Sequence, residues 1–223
     1  MHETGSTTGN AAIPGGPPAS TDAGAPSAGA PSAGAPKMRL HKNWYSRGYL
    51  PHLDQPSLYQ SITFRLHDSV PEQVIQRWKQ EVHWQAHLPS ESPAVRALRR
   101  KIVEYEDAGH GECWLFREEI AELVENALFY FDGKRYRLIA WCIMPNHVHV
   151  LIETFVRYPL DKVLHSWKSY TAQEANNLLN RSGPFWARDY YDRYIRDDKH
   201  FRQTVAYIDQ NPVKAKLVKL AAE

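Results

Sequence analysis

The stretch Arg135-YRLIAWCIMPNHVHVLI-Glu153 decides how this chain is read. Arg135 to Ile143 is nearly all apolar after Arg137, which reads as a central strand. Met144-Pro145-Asn146 is a tight connection, and His147 to Glu153 is its antiparallel partner. Side chains alternate across a strand. Val148, Val150 and Ile152 therefore share the natural core face, and His147 and His149 share the other. Two imidazoles two positions apart on a rigid element can converge on one cation without cancelling its charge. The plain alternative is a pair of polar residues on the solvent side of an edge strand. Glu153, on the same face, is either an acid behind the histidines or a solvated strand end.

Outward from this hairpin the chain alternates between strand and helix signals. Leu58 to Leu66 reads as a strand, with Tyr59, Ile62, Thr63 and Phe64 as β-formers. Ser69-Val-Pro-Glu72 has the form of a capping box, opening a helix with Val74, Ile75, Trp78 and Val82 inward. A second helix follows Ser92-Pro93, with Val95, Leu98, Ile102 and Tyr105 at helical spacing. A third spans about Arg117 to Tyr130, with Ile120, Val124, Ala127 and Leu128 inward, and Asp132-Gly133 is a turn. Beyond the hairpin, a helix runs from about Pro159 to Leu179 and stops near Gly183. An extended aromatic and charged stretch, Phe185 to Arg196, leads to Asp197, which can cap a last helix. Pro212 disfavours helix in the residue before it, so that helix is expected to end near Asn211. This order predicts an α+β domain: an antiparallel sheet flanked by helices, compatible with a ferredoxin-like sandwich.

The 223 residues suit one domain and a tail. Residues 1–36 hold no Lys or Arg, only two acids, Glu3 and Asp22, and a near-repeat of Gly, Ala, Pro and Ser. Such a segment has too little to bury to offset the entropy of ordering it, so 1–37 reads as a disordered arm and 38–223 as a single domain. Met38 opens the globular composition and is a candidate start. Residues 37–223 carry 27 basic and 23 acidic residues, and the excess of four falls within 157–223. That bias favours a polyanion weakly. Two cysteines, Cys113 and Cys142, make no disulfide framework or metal spacing, and no apolar run approaches the roughly 18–20 residues of a membrane span. A reduced cytoplasmic protein fits.

Met144-Pro-Asn-His-Val-His-Val-Leu151 closely resembles the signature of the HUH enzymes, and more narrowly that of the single-tyrosine, REP-associated tyrosine transposases. Tyr45 to His52, Thr63 to Leu66, Trp167 to Thr171, Gly183, Trp186, Tyr191 to Asp197, and Tyr207-Ile-Asp-Gln-Asn-Pro212 also resemble that family's motifs. The helices at about 70–106 read as an insertion relative to its compact members. The resemblance implies a sequence-specific endonuclease and strand transferase for single-stranded DNA. It implies Tyr207 as nucleophile, a 5′-phosphotyrosine intermediate, and a divalent cation, Mg²⁺ or Mn²⁺, held by His147, His149 and Asn211. It implies palindromic repeats that fold into hairpins with single-stranded flanks as substrate, and a cytoplasmic, nucleoid-associated location. Lys168, Arg188, Arg193, Arg196, Lys214 and Lys216 are candidate phosphate contacts, and Trp186, Tyr190 and Tyr191 are either candidate stacking platforms or core residues.

Several readings stay open at this stage. Tyr207 is one helical step, about 100°, from Ile208 of a Phe201, Val205, Ile208 stripe. On spacing alone it covers the edge of the core, and only its match to the motif makes it the nucleophile. Asn211 can equally be a helix C-cap. A metal-dependent amidohydrolase also places His-x-His on a strand, but its eight-fold barrel needs about 250 residues. The remaining alternative is a non-catalytic ferredoxin-like module that binds single-stranded nucleic acid, and oligomeric state is open between monomer and homodimer. Because residues 1–37 supply neither core nor positive charge, deleting them is expected to leave the melting temperature and DNA cleavage nearly unchanged. A loss of several degrees would contradict the reading of the tail.

Overall fold

The computed structural model describes residues 41–46, 50–85, 88–89 and 92–218. The expectations for residues 1–37 lie outside these. In chain order the elements are β1 (Asn43–Ser46), β2 (Pro51–Asp54), β3 (Tyr59–Arg65), α1 (Glu72–Glu81), α2 (Pro93–Asp107), a 3₁₀ turn at Trp114–Phe116, α3 (Glu118–Phe129), β4 (Tyr136–Ile143), β5 (His147–Thr154), α4 (Leu160–Leu178), β6 (Tyr191–Tyr194) and α5 (Asp198–Lys214). No helix among the described residues is long and apolar enough to cross a membrane.

β3, β4, β5 and β6 form one antiparallel sheet in the order β4-β5-β3-β6. With α3 after β3 and α4 after β5, this is the expected α+β, ferredoxin-like arrangement. Ile62, Phe64, Val148, Val150 and Ile152 face α3 and α4 in the main core. α5 lies on the opposite face, where Ile208, Phe201 and Val205 pack on Ala140, Cys142, Met144 and Leu151. Ile208 is fully buried, a contribution of roughly 1.5–3 kcal/mol to holding α5 down. α1 and α2 share a small core of their own around Ile75, Trp78, Leu98 and Ile102.

Three sequence expectations are corrected and one alternative is excluded. β4 is an edge strand, not a central one. It is apolar throughout because α3 covers one face and α5 the other, and a bulge between Leu138 and Ala140 lets both Leu138 and Trp141 face the main core. β5, which carries the histidines, is central, so they are not on the solvent side of an edge. Ser69 does not cap α1: Pro71 occupies the N-cap, and the Ser69 hydroxyl donates to Leu66 O and accepts from Arg65 instead. α5 continues past Asn211 to Lys214 with Pro212 inside it. The hydrogen bond that Pro212 lacks falls in the last turn, and burial of Ile208, Asn211 and Pro212 holds the helix in place.

The pair β1 and β2, unassigned in the sequence reading, is locked to β6 through His52. The fully buried His52 ring meets Asp192 through Nδ1 and Asp189 through Nε2, the latter at 3.1 Å, with Tyr190 stacked on it. Burial works against charge on this ring, but the two carboxylates outweigh it and hold its pKa up to about 9. A group raised in the fold contributes fully below its unfolded value, about 6.5, and loses that contribution as pH rises through about 9. The melting temperature is therefore expected to fall between pH 6.5 and 9.5 by several degrees more than in a His52→Gln variant. Parallel curves for the two proteins would contradict a charged His52.

Candidate active site

His147 and His149 sit side by side on β5, facing α5. They are 1% and 3% exposed, because Leu151 and the α5 stripe close that face as a second core. The expectation that the histidine face lies outside the core is corrected accordingly. Their Nε2 atoms are 2.9 Å apart. Burial lowers the pKa of both, that of His149 to about 4, and His149 lowers His147 further, so the rings are neutral.

The outer nitrogens decide what the inner ones offer. Asn146 Nδ2 donates to Glu106 O at 3.1 Å and His110 O at 2.9 Å, which orients its Oδ1 toward His147 Nδ1 at 2.7 Å. His147 must then carry its proton on Nδ1 and present a lone pair at Nε2. His149 Nδ1 meets Thr63 Oγ1 at 2.8 Å. A hydroxyl both donates and accepts, so His149 can protonate Nε2 and bond to His147, or protonate Nδ1 and present a second lone pair. In the first case the 2.9 Å spacing is an N–H···N hydrogen bond; in the second, the two lone pairs could hold one divalent cation.

Tyr207 is half-exposed beside the Ile208 stripe, its ring edge-on to His149 with centroids 5.3 Å apart. Asn211 lies one turn on, close enough to influence the phenol, and its buried Nδ2 makes no hydrogen bond. Burial raises the phenol pKa, Asp107 raises it further, and Asn211 pulls it down. The Lys214 ammonium lies 5.5 Å from the Tyr207 ring centroid. Tyr207, Asn211 and the two histidines are thus brought together.

The candidate DNA contacts divide between the two faces. Tyr191 stands in a row across the sheet with Thr63, His149 and Cys142, on the histidine face, with the Arg99 guanidinium 3.7 Å over its ring. Arg193 and Arg196 are near His200, whose pKa falls through burial and then their charge. With Lys214 these gather on the side of Tyr207. Lys168 and Arg188 are instead beside the cleft between α4 and residues 183–190, and Lys168 is tied to Ala187 O and Arg188 O. Trp186 is corrected as a stacking platform: it is buried against Phe64, with its indole N–H on Thr171. Glu153 pairs with Arg137 at the far end of β5, a solvated strand end.

The sequence reading missed Asn146, Thr63 and Asp107 as parts of the site. Asp107 Oδ1 is 4.0 Å from His147 Nε2. Thr63 had a signal, a polar residue alternating with the core-facing Ile62 and Phe64. Asp107 had none, because only folding brings α2 to β5.

The chain is similar to several known proteins. The family model described as "Transposase IS200 like" matches residues 114–211. Over this stretch the chain is IS200-transposase-like. The transposase-like resemblance extends to a Haemophilus influenzae protein named as a REP-associated tyrosine transposase, 29% identical over 90 residues, covering 35% of this chain and 51% of that one. A second, uncharacterized protein of the same organism is 28% identical over 123 residues, covering 46% and 62%. The chain spans about half to three fifths of the length of these relatives. Among solved structures, a REP-associated tyrosine transposase bound to a REP hairpin is 17% identical, with a TM-score of 0.44, covering 78% of this chain and 75% of that one. A transposase structure from Deinococcus radiodurans is 14% identical, with a TM-score of 0.29, covering 75% and 96%.

Nitrogen NMR of the metal-free protein is expected to find the His147 ring proton on Nδ1, with both rings neutral down to about pH 5. A midpoint near 6.5 for either ring would contradict the burial that defines the site.

Proposed function

We propose that this protein is a single-tyrosine DNA endonuclease and strand transferase of the HUH type, acting through Tyr207 with a divalent cation at His147, His149 and Asn211. The observation that carries it is one arrangement: Tyr207 edge-on to His149, Asn211 one turn further along α5, and two Nε2 atoms 2.9 Å apart beside them. Tyr207 Oη attacks the scissile phosphorus. The bond from phosphorus to the 3′ oxygen breaks, and its electron pair leaves on that oxygen, which takes a proton as Tyr207 gives one up. The product is a 5′-phosphotyrosine, and a second strand's 3′-hydroxyl can reseal it by the reverse exchange.

A phenol whose pKa burial raises is a poor nucleophile at neutral pH, so the site must do more than hold it. A cation bound there, Mg²⁺ or Mn²⁺, would neutralise phosphate oxygens and orient the scissile bond. Imidazole donors suit Mn²⁺ the better. α5, anchored by Ile208, fixes the phenol relative to β5. Arg193, Arg196 and Lys214 bind the phosphate backbone beside it, and Tyr191 bounds the same surface. The substrate is single-stranded DNA at a palindromic hairpin with a single-stranded flank, a reading supported by the family match and by the name of the 29% identical relative. Binding through phosphates should weaken as salt rises.

Incubation with hairpins from repeats flanking its own gene, plus Mn²⁺, is expected to trap a covalent adduct. Tyr207→Phe removes one oxygen and almost no volume, so folding and DNA binding should survive while the adduct disappears. An adduct with the Phe protein would assign the nucleophile elsewhere, and Tyr170 would be tested next. Binding without any adduct from the unaltered protein would favour a non-catalytic single-strand binding module.

A further inference from the structure

Asp107 closes α2 and lies outside every motif that carries the family resemblance. We propose that Asp107 is a carboxylate ligand of the cation at His147 and His149, so that the α1–α2 insertion supplies part of the metal centre. The proposal rests on the metal site of the proposed function and adds a ligand to it.

Three observations support it. The first is proximity. Asp107 Oδ1 is 4.0 Å from His147 Nε2, so a carboxylate already stands beside the histidine pair. The second is how Asp107 is held. Asn146 Nδ2 binds the carbonyl of Glu106, the residue before it, and that of His110, three after. The amide that sets the His147 tautomer therefore also fixes the backbone on both sides of Asp107. This is a link between ligand and carboxylate, not a chance approach of two surfaces. The third is charge. Two imidazoles and an amide are all neutral, and hard divalent ions favour carboxylate oxygen.

Among the described residues no three His, Cys, Asp or Glu side chains are already gathered closely enough to enclose an ion. Asp107 must turn inward on binding. It is half-exposed, 48% by side chain, at a helix end, with Lys214 facing it, so it has the freedom to do so.

The test is Mn²⁺ binding to the full chain without DNA, followed by the electron paramagnetic resonance of free Mn²⁺, with thermal melts to check folding. Asp107→Asn is expected to weaken binding on the order of tenfold or more, with an unchanged melt. Asp107→Glu should recover part of that loss, and His149→Ala should abolish binding. Asp107→Asn binding as tightly as the unaltered chain would overturn the proposal and leave the histidine site standing. No saturable binding by the unaltered chain, or full binding by His149→Ala, would remove the histidine site and this proposal together.

Discussion

The carboxamide of Asn146 donates to two carbonyls near the end of α2 and accepts the Nδ1 proton of His147. Its three bonds fix a tautomer, and through it the direction of a lone pair. They also pin the α1–α2 insertion against the turn between β4 and β5. An exposed Asn could not do this, because water would satisfy the amide equally well. At 1% exposure the alternatives to these partners are unmet hydrogen bonds, each costing about 1–3 kcal/mol.

Burial sets the chemical character of the rest of the site. It keeps both histidines neutral, raises the Tyr207 phenol, and pushes Glu106 up to about 8 even with Arg65 3.4 Å away. Each shift opposes charge. The resting pocket is therefore close to uncharged at its centre, with Arg99, Arg193, Arg196 and Lys214 around it. That distribution suits a phosphodiester, whose charge is drawn by the rim and which would meet the half-exposed Tyr207 phenol beside the histidines.

What could be read without coordinates was local. The two-residue alternation of β5 separates His147 and His149 from Val148 and Val150, and the Phe201, Val205, Ile208 stripe puts Tyr207 at its border; both hold in the fold. Strand position is not local. β4 reads as central because it is apolar, but apolarity reports covered faces, and an edge strand between two helical layers has the same composition. Ser69 fits a capping pattern, but Leu66 and Arg65 compete for its hydroxyl. Trp186 and Tyr191 are both aromatics in one extended stretch, and only the sheet register sends one to the core and the other to the histidine face. The His52 lock joins residues about 140 apart and leaves no periodic trace.

The place of α2 changes what the length of the chain means. A helical pair inserted between β3 and α3 reads as a lengthened connection, and its own small core around Trp78 and Leu98 would let it pack as a satellite. Yet its last turns reach across to β5. Arg99 covers Tyr191, Glu106 pairs with Arg65, and Asp107 approaches His147. Those contacts fall on one flank of the helix, beside the Leu98 and Ile102 stripe it shares with α1, as i, i+7 and i+8 positions can. An amphipathic helix whose second face is polar and turned toward buried histidines is part of the site's wall. α2 thus adds to the pocket a carboxylate and a guanidinium that the tyrosine helix and the histidine strand do not supply.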